Sequence, residues 1–160
     1  MKGAEMKFEN LEAIIDFAID KEIEAAEFYE MASKEESFSG AKQMLSEFAH
    51  EERKHQSLLE KFKTGGIDSS ISDYKLKWIK DIRRSDYLVD LDYQEGMPYN
   101  DLLLLAMKRE EKALKLYNDL LKEVETDEAK KLFQMLCQEE AKHKLKLETL
   151  YDDYMAEMGD

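Results

Sequence analysis

Shifted by 88 residues, the chain falls onto itself: Glu22 lands on Glu110, Tyr29 on Tyr117, Glu51-Glu52 on Glu139-Glu140, His55 on His143 and Leu59 on Leu147. A repeat of this kind restricts the fold to two copies of one unit packed together. Each copy contains two long stretches in which apolar residues recur at steps of three and four, the period of an amphipathic helix rather than of a strand. The spacing predicts helices over about 9–34, 40–64, 98–123 and 127–157, with Gly65-Gly66 ending the second. One Pro and six Gly in 160 residues leave such helices few breakers.

The connections fix how these helices are arranged. SKEESFSG and EVETDE are short turns, so each copy is an antiparallel helical hairpin. The hairpins, about 9–64 and 98–157, are joined by residues 65–97. A helix of about 24 residues is roughly 36 Å long, and the connecting segment is long enough to travel that distance. The expected architecture is all-α: an antiparallel four-helix bundle with one long crossover between its second and third helices. At 160 residues the chain is expected to form a single domain over 1–160.

Following the inward seam of each helix exposes an anomaly. The seams read Leu11, Ile15, Ala18, Glu22, Ala25, Tyr29, Ala32; then Leu45, Phe48, Glu52, His55, Leu59, Phe62; then Leu103, Ala106, Glu110, Ala113, Tyr117, Leu120; and last Phe133, Leu136, Glu140, His143, Leu147, Leu150. Six positions in otherwise apolar seams are ionisable: Glu22, Glu52, His55, Glu110, Glu140 and His143. Such groups are costly in a core unless they are paired or bound to metal, and no Lys or Arg occurs on these stretches to pair with them.

The six also share one level. Glu22 and Glu52 both lie 15 positions from residue 37, and Glu110 and Glu140 both lie 15 from residue 125. Each Glu-x-x-His adds an imidazole one turn from its carboxylate on the same face. Four carboxylates and two neutral imidazoles carry a charge that two divalent cations cancel, which points to a dinuclear metal centre. Mixed oxygen and imidazole donors suit iron or manganese, with zinc able to substitute. A decoy marks the limit of the motif: Glu47-Phe-Ala-His50 is also Glu-x-x-His, but it lies off the seam and its counterparts are Met135 and Gln138. His50 is therefore expected to be a solvated helix residue.

Composition removes other functions. A net charge of −13 argues against nucleic acid and anionic membrane as partners, since both need a basic footprint. The single Cys137 rules out an internal disulfide and any CxxC pair for an iron–sulfur module, so electrons for redox chemistry must come from outside the sequence. The start MKGAEMKFENLEAIID contains no apolar run of signal-peptide or membrane-span length, so a cytoplasmic location is expected.

These residues resemble the rubrerythrins, ferritin-like di-iron carboxylate proteins. EIEAAEFY over 22–29 is similar to the family's first-helix signature, EERKH supplies Glu52 and His55, EEKALKLY is similar to the third-helix signature, and EEAKH supplies Glu140 and His143. The resemblance implies a ferritin-like bundle holding two iron ions, with Glu52 and Glu140 bridging, Glu22 and Glu110 as terminal ligands, and His55 and His143 on one metal each. It implies reduction of hydrogen peroxide or O2 with electrons from an external donor such as a rubredoxin, and a homodimer. The chain departs from the pattern at Ala113, where rubrerythrins carry a further carboxylate, and lacks an attached rubredoxin domain. A ferroxidase or iron-storage protein and a bundle with a purely structural metal site are the alternatives.

The remaining features have plainer readings. Tyr29 and Tyr117 follow Glu22 and Glu110 by two turns and are expected to hydrogen-bond a carboxylate of a neighbouring helix rather than to carry a radical. Cys137 is expected to be a buried structural thiol. Met31, Met44, Met107 and Met135 are expected to fill core or interface gaps. In the crossover, YKLKWIKDIRR sets five cations beside Tyr74, Trp78, Ile79 and Ile82; an amphipathic helix covering the bundle is preferred there over a docking site for an electron donor. SDYLVDLDY then reads as extended.

Overall fold

A computed structural model describes residues 10–36, 39–65, 71, 73–76 and 93–158. Four long helices make up most of them: α1 (Leu11–Glu35), α2 (Ser39–Gly65), α3 (Tyr99–Leu121) and α4 (Asp127–Met158). Three of them begin where local chemistry favours it. Asn10 accepts a hydrogen bond from the Ala13 amide at 2.9 Å and caps α1. Thr126 accepts from the Ala129 amide at 3.1 Å at the start of α4, and Asp127 and Glu128 add negative charge to that first turn. Before α3 the chain turns through Gly96 at φ +78°, a conformation other residues adopt at a cost, and Pro98 then precedes the first helical turn.

The closest packing is within the hairpins, α1 on α2 and α3 on α4. Across the hairpins α1 faces α3, where Tyr29 bonds to Glu110, and α2 faces α4, where His143 bonds to Glu51. The arrangement is an all-α ferritin-like four-helix bundle. None of its helices, among the described residues, is long and apolar enough to cross a membrane.

The core is divided in two. One apolar cluster gathers Ile15, Ala18, Leu59, Phe62, Leu120, Leu132, Phe133 and Leu136 at the end where α1 begins. A second gathers Tyr29, Ala32, Leu45, Phe48, Leu103, Ala106 and Leu147 toward the opposite end. The ionisable seam residues lie between them in sequence on every helix. The crossover spans both halves, since Ile71 is buried in the first cluster while Tyr93 packs beside the second, bonds to Glu35 and meets Phe28 edge-on.

Several seam expectations need adjusting. Ala25 and Ala113 are only half-buried, because small side chains facing each other from α1 and α3 leave a cleft instead of closing the core. Met44, Met107 and Met135 are buried, but Met31 is 41% exposed, on the outer face of α1. Trp78, Ile79 and Ile82 of the expected amphipathic helix lie outside the described residues, as does SDYLVDLDY except for Tyr93.

Candidate metal centre

Glu22 on α1, Glu52 and His55 on α2, Glu110 on α3, and Glu140 and His143 on α4 are all buried, each 4% exposed or less. Helical periodicity explains the placement. The four helices aim one polar level of otherwise apolar faces at the axis, and the i, i+3 spacing of each Glu-x-x-His puts carboxylate and imidazole on one face. Donor atoms gather into two groups, Glu22, Glu52, His55 and Glu140, and Glu52, Glu110, Glu140 and His143, with atoms in each group within 4.8 Å of one another. Glu52 and Glu140 belong to both groups.

Both histidines turn Nδ1 toward the carboxylates. His55 Nδ1 lies 3.3 Å from Glu140 Oε1 and 3.5 Å from Glu22 Oε2, and His143 Nδ1 lies 3.3 Å from Glu52 Oε1 and 3.4 Å from Glu110 Oε1. A first-row metal bonded at about 2.1 Å to two donors roughly 90–110° apart separates them by about 3.0–3.4 Å, close to these spacings. Most of these donor atoms lack other partners, Glu110 Oε1 excepted, which accepts from Tyr29. Glu22 Oε2, Glu52 Oε1, Glu110 Oε2, both oxygens of Glu140 and both Nδ1 atoms are buried without a hydrogen bond. Buried polar atoms are rarely left so, and the donor set fits a pair of divalent cations.

A surrounding layer holds these groups in place. Tyr29 donates to Glu110 Oε1 at 2.5 Å, and Tyr117 donates to Glu22 Oε1. The outward Nε2 of His143 bonds to Glu51, and that of His55 lies 4.0 Å from Glu139 Oε1. Each doublet therefore divides its work, Glu52 and Glu140 facing the centre while Glu51 bonds the imidazole of the opposite hairpin, which fixes its orientation and basicity, and Glu139 stands 4.0 Å from the other ring. Sequence reasoning found the tyrosines' partners in kind and missed Glu51 and Glu139, although the repeated Glu-Glu doublet carried the signal. It also missed Tyr74, whose hydroxyl donates to Glu139 Oε2 at 2.7 Å and accepts from Gln138 at 2.8 Å.

The family model described as Rubrerythrin matches residues 3–63 and 86–151, both hairpins with most of the crossover passed over. The chain belongs to the rubrerythrin family. Among solved structures, a hypothetical protein from Pyrococcus furiosus is 27% identical, with a TM-score of 0.63 over 90% of this chain and 89% of that one. No curated protein matches.

In this rubrerythrin-family chain, burial and mutual charge favour protons bound within the cluster. Burial, then the charges of Glu22 and Glu110, push Glu52 up to about 8. Burial and the charges of Glu110 and Glu52 raise Glu140 well above the carboxylate range. Burial pushes Glu110 upward too, but the close approach of Glu140 and the charge of His143 bring it below its ordinary value. Burial disfavours the charged imidazoles, yet the neighbouring carboxylates win and hold His55 and His143 well above the usual value. Burial and adjacent carboxylates also raise the phenols of Tyr29 and Tyr117, which stay protonated as donors.

One side of the centre is open. A cleft of about 680 Å³ between α1 and α3 reaches Glu22, Glu52, Glu110 and Glu140 past Ala25 and Ala113, with Lys21, Lys108, Arg109 and Lys112 also lining it. His50 is exposed and joins neither donor group. Cys137 is half-buried, burial pushes its thiol up to about 12, and Sγ lies 3.7 Å from Asn118 Oδ1, so it is an inert packing residue.

Proposed function

We propose that this chain is an oxidoreductase that reduces hydrogen peroxide, or O2, at a di-iron centre, using electrons from an external donor such as a rubredoxin. The observation that carries the reading is the pair of four-donor groups sharing Glu52 and Glu140. Two bound iron(II) ions supply the electrons and the Lewis acidity for cleaving an O–O bond. Glu22 and His55 complete one position and Glu110 and His143 the other, with manganese or zinc as possible occupants of the same donors.

The chain's own residues prepare that chemistry. Tyr29 and Tyr117 orient the carboxylates of Glu110 and Glu22, Glu51 holds the His143 imidazole, and the Glu139 carboxylate stands beside that of His55. The cleft past Ala25 and Ala113 gives a small oxidant access, and the two apolar clusters exclude water from the other directions. Turning peroxide into two waters consumes two electrons and two protons, and the protonated phenols of Tyr29 and Tyr117 lie beside the carboxylates through which such protons pass.

The ferroxidase reading needs iron cations to enter repeatedly. Four cationic side chains offset four of the five carboxylates that line the cleft, which leaves no strongly negative path for such traffic, and the enzyme reading is preferred. Iron-loaded protein supplied with a reductant and peroxide tests it: sustained turnover that Glu52→Ala abolishes is the expected result. Failure to turn over with any reductant sinks it, and retention of many more than two irons per chain points to storage instead.

A further inference from the structure

The cleft is much larger than its oxidant. Its volume of about 680 Å³ compares with about 30 Å³ for a water molecule, and it falls among sites that enclose small organic ligands. Phe17, Leu105 and Leu116 give it apolar walls, and Ala25 and Ala113 keep the path to the centre clear.

Beside the carboxylates of the centre and Glu24, it carries four cations, Lys21, Lys108, Arg109 and Lys112, in a chain whose net charge is −13. Lys21 is answered by Glu24 at 3.0 Å, and the Arg109 guanidinium is held 4.1 Å over the Phe28 ring. Lys108 and Lys112 have no ion pair among the described residues, and they stand four positions apart on one face of α3. Like charges at that spacing repel. An anionic group seated between them removes the repulsion.

We propose that the cleft between α1 and α3 binds a small amphiphilic organic anion, an aliphatic monocarboxylate in the simplest case, with its chain along the apolar walls and its carboxylate at Lys108 and Lys112. The proposal rests on the dinuclear reading at one point. Two divalent cations make the floor of four carboxylates neutral toward an anion. The ligand lies with its uncharged end toward the centre, so it either controls access of the oxidant or presents its own carbon chain there.

The test uses full-length protein loaded with zinc, which is redox-silent, titrated with octanoate by calorimetry, with zinc counted by elemental analysis. Saturable one-to-one binding of octanoate is expected, weakened about tenfold or more by the double substitution Lys108→Glu with Lys112→Glu, while octanol binding stays within about twofold. Ala113→Phe, which fills the cleft, is expected to weaken both ligands. Two zinc ions per chain without octanoate binding overturns the proposal and leaves the metal reading standing. So does equal weakening of octanoate and octanol by the charge reversal. Fewer than two zinc ions overturns the metal reading and with it the neutral floor an anion requires.

Discussion

Tyr29 on α1 donates a 2.5 Å hydrogen bond to Glu110 on α3, joining the two hairpins across 81 residues of sequence. Tyr117 repeats the relationship with Glu22 in the opposite direction. Tyr29→Phe removes the donor and leaves a buried carboxylate oxygen without its partner. The expected loss is about 1.5–3 kcal/mol of stability in the metal-free protein and about tenfold or more in affinity for one of two metals. Thermal melts and a competitive zinc titration measure the two effects; unchanged values in both mean that the phenol is only a packing group.

Glu51 and Glu139 support different histidines, so their loss should separate the two metal positions. Glu51→Ala is expected to weaken the position served by His143, and Glu139→Ala the one served by His55, each by about 10–100-fold. Calorimetry on either variant should resolve one tight and one weak metal. Two equally weakened metals would contradict the assignment of one support to one ring.

Shared ligands behave differently from terminal ones. Glu52→Ala removes a donor from both groups and is expected to abolish tight binding of both metals, whereas Glu22→Ala should spare one. His50→Ala, on the exposed face of α2, should leave metal content unchanged and stability within about 0.5 kcal/mol. Elemental analysis of the three purified variants decides this, and loss of metal from the His50 variant would overturn the separation of the two Glu-x-x-His motifs.

The protonated cluster predicts a pH dependence for the metal-free protein. Glu52 is raised from 4.5 to about 8, so its contribution is full below about pH 4.5 and is lost as the pH rises through about 8. His55 and His143, raised above 6.5, lose theirs in the same direction at higher pH. Glu51 and Glu139, both lowered, matter only in acid. Between pH 5 and 8 the chelated protein should therefore lose stability, on the order of 1 kcal/mol per pH unit for each proton involved. Metal-loaded protein should be nearly flat, because cations have displaced those protons. Urea denaturation at several pH values checks both curves, and a chelated protein that gains stability over this range contradicts the reading.

Much of this was legible because helices repeat every 3.6 residues and the chain repeats every 88. Those two periods put Glu22, Glu52, His55, Glu110, Glu140 and His143 on inward faces at one level and set His50 aside, with no contact known. What periodicity reports is which face a residue occupies, not what reaches it from another helix. Glu51 and Glu139 sit one position off the seam, where periodicity gave them no role, yet Glu51 bonds a ring on the facing hairpin and Glu139 stands beside the other. Tyr74 lies in a segment without period, and nothing local marks it as the partner of Glu139. Ala25 and Ala113 fit the apolar seam by type but border a cleft, because their small volume, not their polarity, decides whether the core closes. Lys144 and Glu148, also off the seam, are buried on α4.

Each donor group draws residues from both hairpins: Glu140 completes the one centred on Glu22, Glu52 and His55, and Glu52 completes the one centred on Glu110, Glu140 and His143. During synthesis, residues 11–65 leave the ribosome well before 127–158. The first hairpin thus emerges with half a centre and cannot close four donors around a cation until α4 docks. On the dinuclear reading, metal capture would be a late event that reports completion of the fold, and the captured ions would act as a clasp between two halves made at different times.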